Sequence, residues 1–187
     1  MNTTTLAKYS FCFLAIYEKM DDYLYDIGCS LVNNIYTDNN LTNKSFEEIL
    51  VHNYLKSKFG NMKKDNQLMV LKDLNILSDS DLVLLKNLTG IRDRISHDAG
   101  VLFFEKPSKE YFKLDKLIYL FKKVTSNIYN IILKPSYEAS NKNEYPNPLK
   151  NITATFAGIR IIMQDLLSKT VYLKLNNILN EWWVKNI

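Results

Sequence analysis

Apolar side chains recur at helical spacing along most of this chain, and this periodicity constrains its fold more than any other feature. After Ser108 the stripe consists of Leu114, Leu117, Ile118, Phe121, Val124, Ile128, Ile131 and Ile132. Intervals of three and four place these side chains on one face of an α-helix. Five glycines and four prolines among 187 residues disfavour a turn-rich β fold. The sequence therefore predicts an all-α fold, a helical bundle of about five to seven helices.

Stripes and capping residues together indicate where the helices lie. Before Pro135 the predicted helices are Leu6 to about Ile35, Ser45 to about Lys58, Asp65 to Leu77, Asp79 to about Ala99, and a segment from Ser108 through Ile132. Thr3 to Thr5 are expected to cap the first helix. Ser45 and Ser78 are each followed three residues later by an acidic residue, which is the pattern of a helix N-terminus.

The segment from Pro135 to Lys150 contains three prolines together with many Asn, Ser and Lys residues, which is typical of a linker. We therefore predict a helical bundle over residues 1–134, a linker over 135–150 and a C-terminal helical extension over 151–187. The extension carries its own apolar stripe, which ends at Trp182-Trp183, and a break is expected near Thr170. Such a stripe packs either on the bundle of its own chain or on a partner.

Composition limits the classes of function. The formal charge of +4 permits nucleic-acid binding without requiring it, and most lysines are interpreted as solvated helix faces. Cys12 and Cys29 lack metal-site or disulfide spacing, which favours buried free thiols. The sequence has neither a secretion signal nor an apolar run of membrane-spanning length, so we expect a cytoplasmic protein without a membrane partner.

Residues 92–97, with the sequence RDRISH, contain most of the few arginine and histidine residues of the chain. The protein has three arginines and two histidines, and three of these five residues lie in this segment. Histidine moves protons near neutral pH. Arginine binds phosphoryl oxygens through its planar fork of donors. Arg92 and His97 thus have the side chains needed to cut RNA without a metal ion or another cofactor.

Helical geometry limits how these residues meet. Leu84, Leu88, Ile91 and Ile95 are expected to form the buried face of the motif helix. Asp93 and His97 are four residues apart and share a face, whereas Arg92 and His97 lie roughly 140° apart. Arg92 and His97 therefore converge only if the helix loosens near Ala99-Gly100, or if two chains bring their copies together across a dimer cleft.

The pattern Arg92-Asp93-x-x-x-His97, late in a helical domain of this size, resembles the HEPN superfamily. The signature of that family is an arginine, often followed by Asn, Asp or His, and a histidine four to six residues beyond it. Many members are metal-independent endoribonucleases among toxins, abortive-infection proteins and CRISPR effectors. The resemblance implies a HEPN-like bundle, a homodimer with one composite active site, and an antitoxin or another defence-system protein as a further partner.

Carried over by position, the resemblance makes Arg92 the phosphate-contacting arginine, Asp93 the polar helper and His97 the catalytic histidine. The implied reaction on the RNA substrate is attack by the 2′-OH on the adjacent phosphate, in a toxin or phage-defence effector. HEPN toxins with nucleotidyltransferase antitoxins often carry a tyrosine two residues after the histidine, where this chain has Ala99. Modification of that position by such a partner is therefore not expected here.

Other interpretations of the same residues stay open. Arg92, Asp93 and His97 also fit an exposed helix face with local ion pairs, such as Arg94 with Asp98. The chain then acts as a non-catalytic module that binds RNA or a protein, or as an antitoxin-neutralised assembly subunit. His52 has no partner spaced for metal binding or catalysis, and most of the twelve tyrosines lie on helical stripes that favour a place in the core. The sequence contains no Gly-rich phosphate loop and no HExxH or GxSxG motif.

Overall fold

The computed structural model of the protein describes residues 1–37, 64–98, 104–139 and 148–186. These residues form helices and no strand, which confirms the predicted all-α fold. The α-helices are α1 (Thr3–Thr37), α2 (Lys64–Asp73), α3 (Asp79–His97), α4 (Leu114–Ile128), α5 (Lys134–Ala139), α6 (Pro148–Leu166) and α7 (Lys169–Asn186). A 3₁₀ turn (Lys109–Phe112) precedes α4, and a π-helical turn (Tyr129–Leu133) joins α4 to α5. The helix predicted over Ser45 to Lys58 lies outside the described residues.

The first helix begins earlier than its apolar stripe. The side-chain oxygen of Asn2 accepts a hydrogen bond from the backbone N–H of Thr5 at 2.8 Å, so Asn2 caps α1. The predicted cap at Thr3 to Thr5 is therefore wrong, because these threonines form the first turn of the helix. Asparagine caps a helix at least as well as threonine, and the cap lies at the first position whose side chain reaches an unpaired N–H.

The second described helix ends before its predicted end at Leu77. Asn75 adopts a left-handed backbone with φ 59° and donates its N–H to the carbonyl of Lys72 at 2.7 Å. The N–H of Ile76 bonds to the carbonyl of Leu71 at 2.9 Å. This pair of bonds is the Schellman arrangement, which satisfies the last carbonyls of a helix. Leu71 and Ile76 are both buried, which supplies the apolar contact that accompanies this type of helix end.

A second left-handed residue interrupts the helix that was predicted to begin at Ser108. Residues Lys109–Phe112 form a single 3₁₀ turn, Lys113 adopts φ 46°, and α4 begins only at Leu114. Lys113 donates its N–H to the carbonyl of Glu110 at 3.2 Å, which closes the turn. The chain therefore changes direction between the turn and α4, and Phe112 is fully buried at this corner.

The chain divides into two compact units. The smaller unit comprises residues 21–78, and its described part contains the second half of α1, helix α2 and the turn after it, with Leu24, Leu71, Ile76 and Leu77 buried. The larger unit comprises residues 1–20 and 79–187. Its fully buried large side chains are Leu6, Phe13, Ile16, Tyr17, Met20, Phe112, Phe121 and Phe156. They come from α1, the 3₁₀ turn, α4 and α6, so helices distant in sequence share one core.

The two C-terminal helices belong to that core. Phe156 of α6 packs against Phe121 of α4 with ring centroids 5.7 Å apart, and Lys122 of α4 donates to Glu181 of α7 at 2.9 Å. The buried residues of this region are Ile152, Phe156, Ile159, Met163, Leu167, Leu175 and Leu179. The apolar stripe of the extension thus packs on its own chain, while the side chains of Trp182 and Trp183 lie outside the described ones. The helical break near Thr170 falls at residues 167–168.

Helical segments reach into both ends of the predicted linker. Helix α5 extends to Ala139, and α6 begins at Pro148. Proline is well suited to the first position of a helix because its missing N–H would have no intrahelical acceptor there. Residues 140–147 lie outside the described part, so the predicted domain boundaries stay a prediction. Within the described ranges, no helix is both long and apolar enough to cross a membrane.

A partly buried ion pair links the beginning of α3 to α4. Both carboxylate oxygens of Asp81 accept hydrogen bonds from the ammonium group of Lys123 on α4, each at 2.8 Å. Asp81 is only 4% exposed, although it lies in the first helical turn where aspartate is usually solvated. Its charge also complements the partial positive charge of the helix N-terminus. Removing Lys123 would leave the buried carboxylate of Asp81 without a compensating charge, so the pair stabilises the packing of α3 on α4.

The buried thiol of Cys12 leads to a prediction about alkaline stability. Cys12 is free and fully buried, as predicted for it, and burial raises the pKa of its thiol from 9.0 to about 12. The unfolded chain therefore releases this proton at a lower pH than the folded protein does. We expect the free energy of unfolding to be unaffected by this group below pH 9 and to fall as the pH rises from 9 to about 12.

The measurement is urea denaturation at several alkaline pH values, with Cys12→Ala as the matched variant. Cys12→Ala should be less stable at neutral pH because it leaves a cavity. Its free energy of unfolding should nevertheless fall less steeply above pH 9 than that of the wild type. Identical slopes for the two proteins would show that the thiol does not contribute. The side chain of Cys29 lies outside the described ones.

Candidate active site

The predicted site residues all lie on the last two turns of α3. The buried face of this helix consists of Leu85, Leu88, Ile91 and Ile95 together with Asp81. The predicted stripe is thus correct at three positions, but Leu84 is half-buried and Leu85 takes its place in the core. Arg92, Asp93 and His97 fall between the buried positions and face away from the core. Arg92 is half-buried, whereas Asp93 and His97 are exposed.

Arg92 is held by two carboxylates. Its Nε donates to Glu18 of α1 at 2.8 Å, and its Nη1 donates to Asp93 at 2.9 Å. Hydrogen bonding to Glu18, followed by that to Asp93, raises the pKa of Arg92 above its ordinary value. A guanidinium has five N–H donors, and the remaining ones have no hydrogen-bond partner among the described residues. With 31% of its side chain exposed, Arg92 has an oriented guanidinium with donors still open to a ligand.

An aromatic ring beneath Arg92 completes its surroundings. The guanidinium carbon of Arg92 lies 5.9 Å from the ring centroid of Tyr17, within the range of a cation–π contact. The hydroxyl of Tyr17 is 2.7 Å from that of Thr89, which in turn donates to the carbonyl of Leu85 at 2.9 Å. Because Thr89 uses its proton on that carbonyl, Tyr17 is the donor to Thr89. The chain of bonds fixes the Tyr17 ring against α3.

Sequence reasoning did not identify Tyr17 and Glu18 as part of the site. Tyr17 was interpreted as a core residue of α1, and it is fully buried. Glu18 lies 74 residues from Arg92 in the sequence. Nothing local to either segment indicates this pairing, since it depends on how α1 packs against α3. The one available signal is the position of Glu18 next to a buried tyrosine on the same helix.

Asp93 contacts Arg92. The sequence places this carboxylate on the same helix face as His97, but its Oδ1 accepts the hydrogen bond from Arg92. The Asp93 side chain is half exposed. In the described residues, His97 forms neither a hydrogen bond nor an ion pair, although Asp93 lies one helical turn before it. Asp93 therefore acts on the arginine of the candidate site.

His97 is the last residue of α3. The helix is continuous from Asp79 to His97, and the N–H of Asp98 still bonds to the carbonyl of Arg94 at 2.9 Å. Arg92 and His97 thus lie on one regular helix, with their side chains roughly 140° apart. The helix does not loosen between them, so one copy of α3 does not bring them together. Ala99 and Gly100, where loosening was expected, lie outside the described residues.

Arg94 lies on a different side of α3 from Arg92 and has its own partners. Its Nη2 donates to Glu105 at 2.8 Å, and its guanidinium carbon lies 5.6 Å from the ring centroid of Tyr111. The local ion pair that sequence reasoning considered for Arg94 was with Asp98, whereas the observed pairing reaches across to the segment before the 3₁₀ turn. Half of the Arg94 side chain is exposed.

Comparison with known proteins gives no relative. No protein-family model matches the chain, and no curated protein or solved structure shows significant similarity to it. Among the residues that the structure describes, no group of three or more His, Cys, Asp or Glu side chains is placed to hold a metal ion. His52 lies outside the described residues.

Proposed function

We propose that this protein is a metal-independent endoribonuclease of HEPN type, with Arg92, Asp93 and His97 as its catalytic residues. The observation that supports this proposal is the state of Arg92, which is oriented by Glu18, Asp93 and Tyr17 while part of its guanidinium remains accessible. Fixed donors of this kind stabilise the charge that develops on phosphoryl oxygens. His97 is exposed near the same end of α3 and has the side chain suited to proton transfer.

The proposed reaction is an internal transesterification of RNA. The 2′-OH attacks the adjacent phosphorus atom and loses its proton to a base, while the 5′-oxygen of the next nucleotide leaves and takes up a proton. The products are a 2′,3′-cyclic phosphate and a 5′-hydroxyl. His97, or the two copies of His97 in a dimer, moves these protons. Arg92 binds the non-bridging oxygens as negative charge builds on them.

The geometry of α3 favours a dimeric enzyme. Arg92 and His97 point to different sides of one continuous helix. A phosphate bound by Arg92 of one protomer therefore needs the His97 side chain of a second protomer. We propose a homodimer in which two copies of the motif face one cleft, so that Arg92 of one chain works with His97 of the partner chain. Such an arrangement follows the symmetry rule for homodimers, in which the same surface is used on both subunits.

Mixing two inactive variants tests this arrangement. Arg92→Ala retains His97, and His97→Ala retains Arg92, so a heterodimer of the two has one intact pair only if the pair spans both chains. We expect cleavage to reappear when the variants are co-refolded, at a substantial fraction of the wild-type rate. The measurement is RNA cleavage by the mixture against each variant alone, with sedimentation to record the dimer. No recovery from a mixture that contains heterodimers would contradict a site shared between chains.

The experiment that tests the function itself is cleavage of a long RNA in EDTA, with chemical analysis of the new ends. A 2′,3′-cyclic phosphate and a 5′-hydroxyl are the expected ends. Cleavage that strictly requires added magnesium, or products with a 5′-phosphate, would contradict the proposal. A cytoplasmic toxin or phage-defence effector, held in check by an antitoxin or another defence-system protein, is the proposed biological setting.

A second candidate function is a non-catalytic helical module that binds RNA or a protein. The observation that favours it is the double ion pair of Arg92, because such a network also occurs where arginine only stabilises a helix surface. The two functions predict different results for Glu18→Ala, which removes the acceptor of the hydrogen bond from the Nε of Arg92. In the enzyme this variant misorients Arg92 and lowers cleavage, whereas in a structural network it changes only stability, and by little, since the pair is exposed.

A further inference from the structure

The segment after the motif helix presents an aromatic side chain to solvent. Phe104 is 86% exposed, more than any other large apolar side chain among the described residues. Burial of a phenylalanine side chain ordinarily stabilises a protein, so an exposed ring is unfavourable for the isolated chain. The residues that follow it, Glu105 and Lys106, are charged, whereas the three apolar residues that precede it lie outside the described residues.

Phe104 is held beside α3 by an ion pair. The carboxylate of Glu105, the next residue, accepts a hydrogen bond from Arg94 at 2.8 Å. The guanidinium of Arg94 is fixed in turn against the Tyr111 ring. Lys106 then adopts a left-handed backbone with φ 45°, a conformation that residues other than glycine adopt rarely. These contacts hold Glu105, the residue that follows Phe104, beside the motif helix.

Arg94 and His97 lie on the same side of α3. They are three residues apart, which corresponds to about 60° around the helix and about 4.5 Å along it. Arg92 lies about 160° away from Arg94 by the same geometry. The side of the helix that carries His97 thus has its own half-exposed arginine and, through Glu105, the exposed ring of Phe104. Lys106 and Lys109 are exposed in the following segment, together with the carboxylates of Asp98 and Glu110.

We propose that Phe104 is a stacking platform for an unpaired nucleobase and that Arg94 binds a neighbouring phosphate of single-stranded RNA. The inference rests on the proposed function and specifies its substrate class. Unpaired bases stack on exposed aromatic rings, whereas the bases of a duplex are already stacked and inaccessible. The donors of Arg94 that Glu105 does not use have no partner among the described residues, so they are open to a phosphate.

Direct binding tests this assignment without requiring cleavage. The probe is a short, fluorescently labelled single-stranded RNA, and its anisotropy is measured in EDTA with the His97→Ala protein so that it stays intact. In this background we expect Phe104→Ala to weaken binding about tenfold. Phe104→Leu keeps an apolar side chain without an aromatic face and should weaken binding similarly. Phe104→Trp should bind the RNA as tightly as the protein that carries Phe104. Arg94→Ala should also weaken binding. Duplex RNA of the same sequence should bind weakly and respond to none of these variants.

A matched control is Val83→Ala, because Val83 is 64% exposed on the opposite end of α3. It should leave binding unchanged. Unchanged affinity in Phe104→Ala and Phe104→Leu would overturn the platform, as would a loss of the dimer in Phe104→Ala, which would make Phe104 a protein contact. Phe104-dependent binding by a wild-type protein that does not cleave in EDTA would support the platform and contradict the proposed function. Cleavage in EDTA together with RNA binding that does not depend on Phe104 would support the proposed function and contradict the platform.

Discussion

His97→Ala should lower the rate of RNA cleavage in EDTA by about 10² to 10⁴-fold, because general acid–base catalysis contributes on this scale. Arg92→Ala should cause a loss of about 10² to 10³-fold, since it removes a fixed donor to the charge that builds on the phosphate oxygens. Both variants should keep the fold. His97 forms no hydrogen bond or ion pair within the described ranges, and Arg92 lies on the surface of α3. The measurement is single-turnover cleavage, with circular dichroism as the control for folding.

Two neighbouring variants sharpen this prediction. Asp93→Asn should be milder than Arg92→Ala, because an amide oxygen still accepts the hydrogen bond that Arg92 donates to Asp93. Arg94→Ala should also be milder in the chemical step, since Arg94 lies on another side of α3 from Arg92 and pairs with Glu105. Full activity in a folded His97→Ala protein would rule out the proposed mechanism.

Phe156→Ala should lower the free energy of unfolding by about 3–5 kcal/mol, the usual cost of truncating a buried phenylalanine. Phe156 is fully buried on α6, and its ring packs against that of Phe121 on α4. The truncation leaves a cavity between the C-terminal helices and the helix that packs on α3. The measurement is equilibrium urea denaturation of both proteins.

Ile161→Ala is the matched control, because Ile161 lies on the same helix and is 60% exposed. It should change the free energy of unfolding by less than about 0.5 kcal/mol, as surface substitutions usually do. A similar small effect for Phe156→Ala would mean that the C-terminal helices do not share a core with α4.

The parts of the fold that depend on local pattern could be predicted from the sequence. The stripe of α4 is an example, because Leu114, Leu117, Ile118, Phe121, Val124 and Ile128 are all buried as their spacing indicates. Ile131 was predicted to continue this stripe and is instead 46% exposed, because the π-helical turn after α4 departs from the α-helical spacing. The helix ends at Asn75 and Lys113 could not be predicted in this way. Each depends on a left-handed backbone, which lysine adopts rarely and asparagine only in a minority of positions. The surrounding contacts therefore decide whether the helix stops there.

In the candidate site too, the features that depend on local pattern could be predicted, and those that depend on tertiary packing could not. The positions of Arg92, Asp93 and His97 on one helix followed from the sequence, because periodicity is local. The partners of Arg92 did not, since Glu18 and Tyr17 lie on α1 and reach Arg92 only through tertiary packing. Buried Asp81 is a similar case, because its pairing with Lys123 on α4 outweighed the usual preference of aspartate for solvent.

The two ends of the motif helix differ in how firmly they are held, and this difference bears on the timescale of motion at the site. Asp81 and the Tyr17–Thr89 chain anchor α3 from its first turn to the level of Arg92. His97 is the final residue, where backbone hydrogen bonds open most readily by local fluctuation. Amide exchange should therefore be slower from Leu85 to Ile91, in the middle of α3, than around His97. In the proposed mechanism, a preorganised Arg92 would bind the phosphate, and the mobility of His97 would let it serve both the attacking and the leaving oxygen.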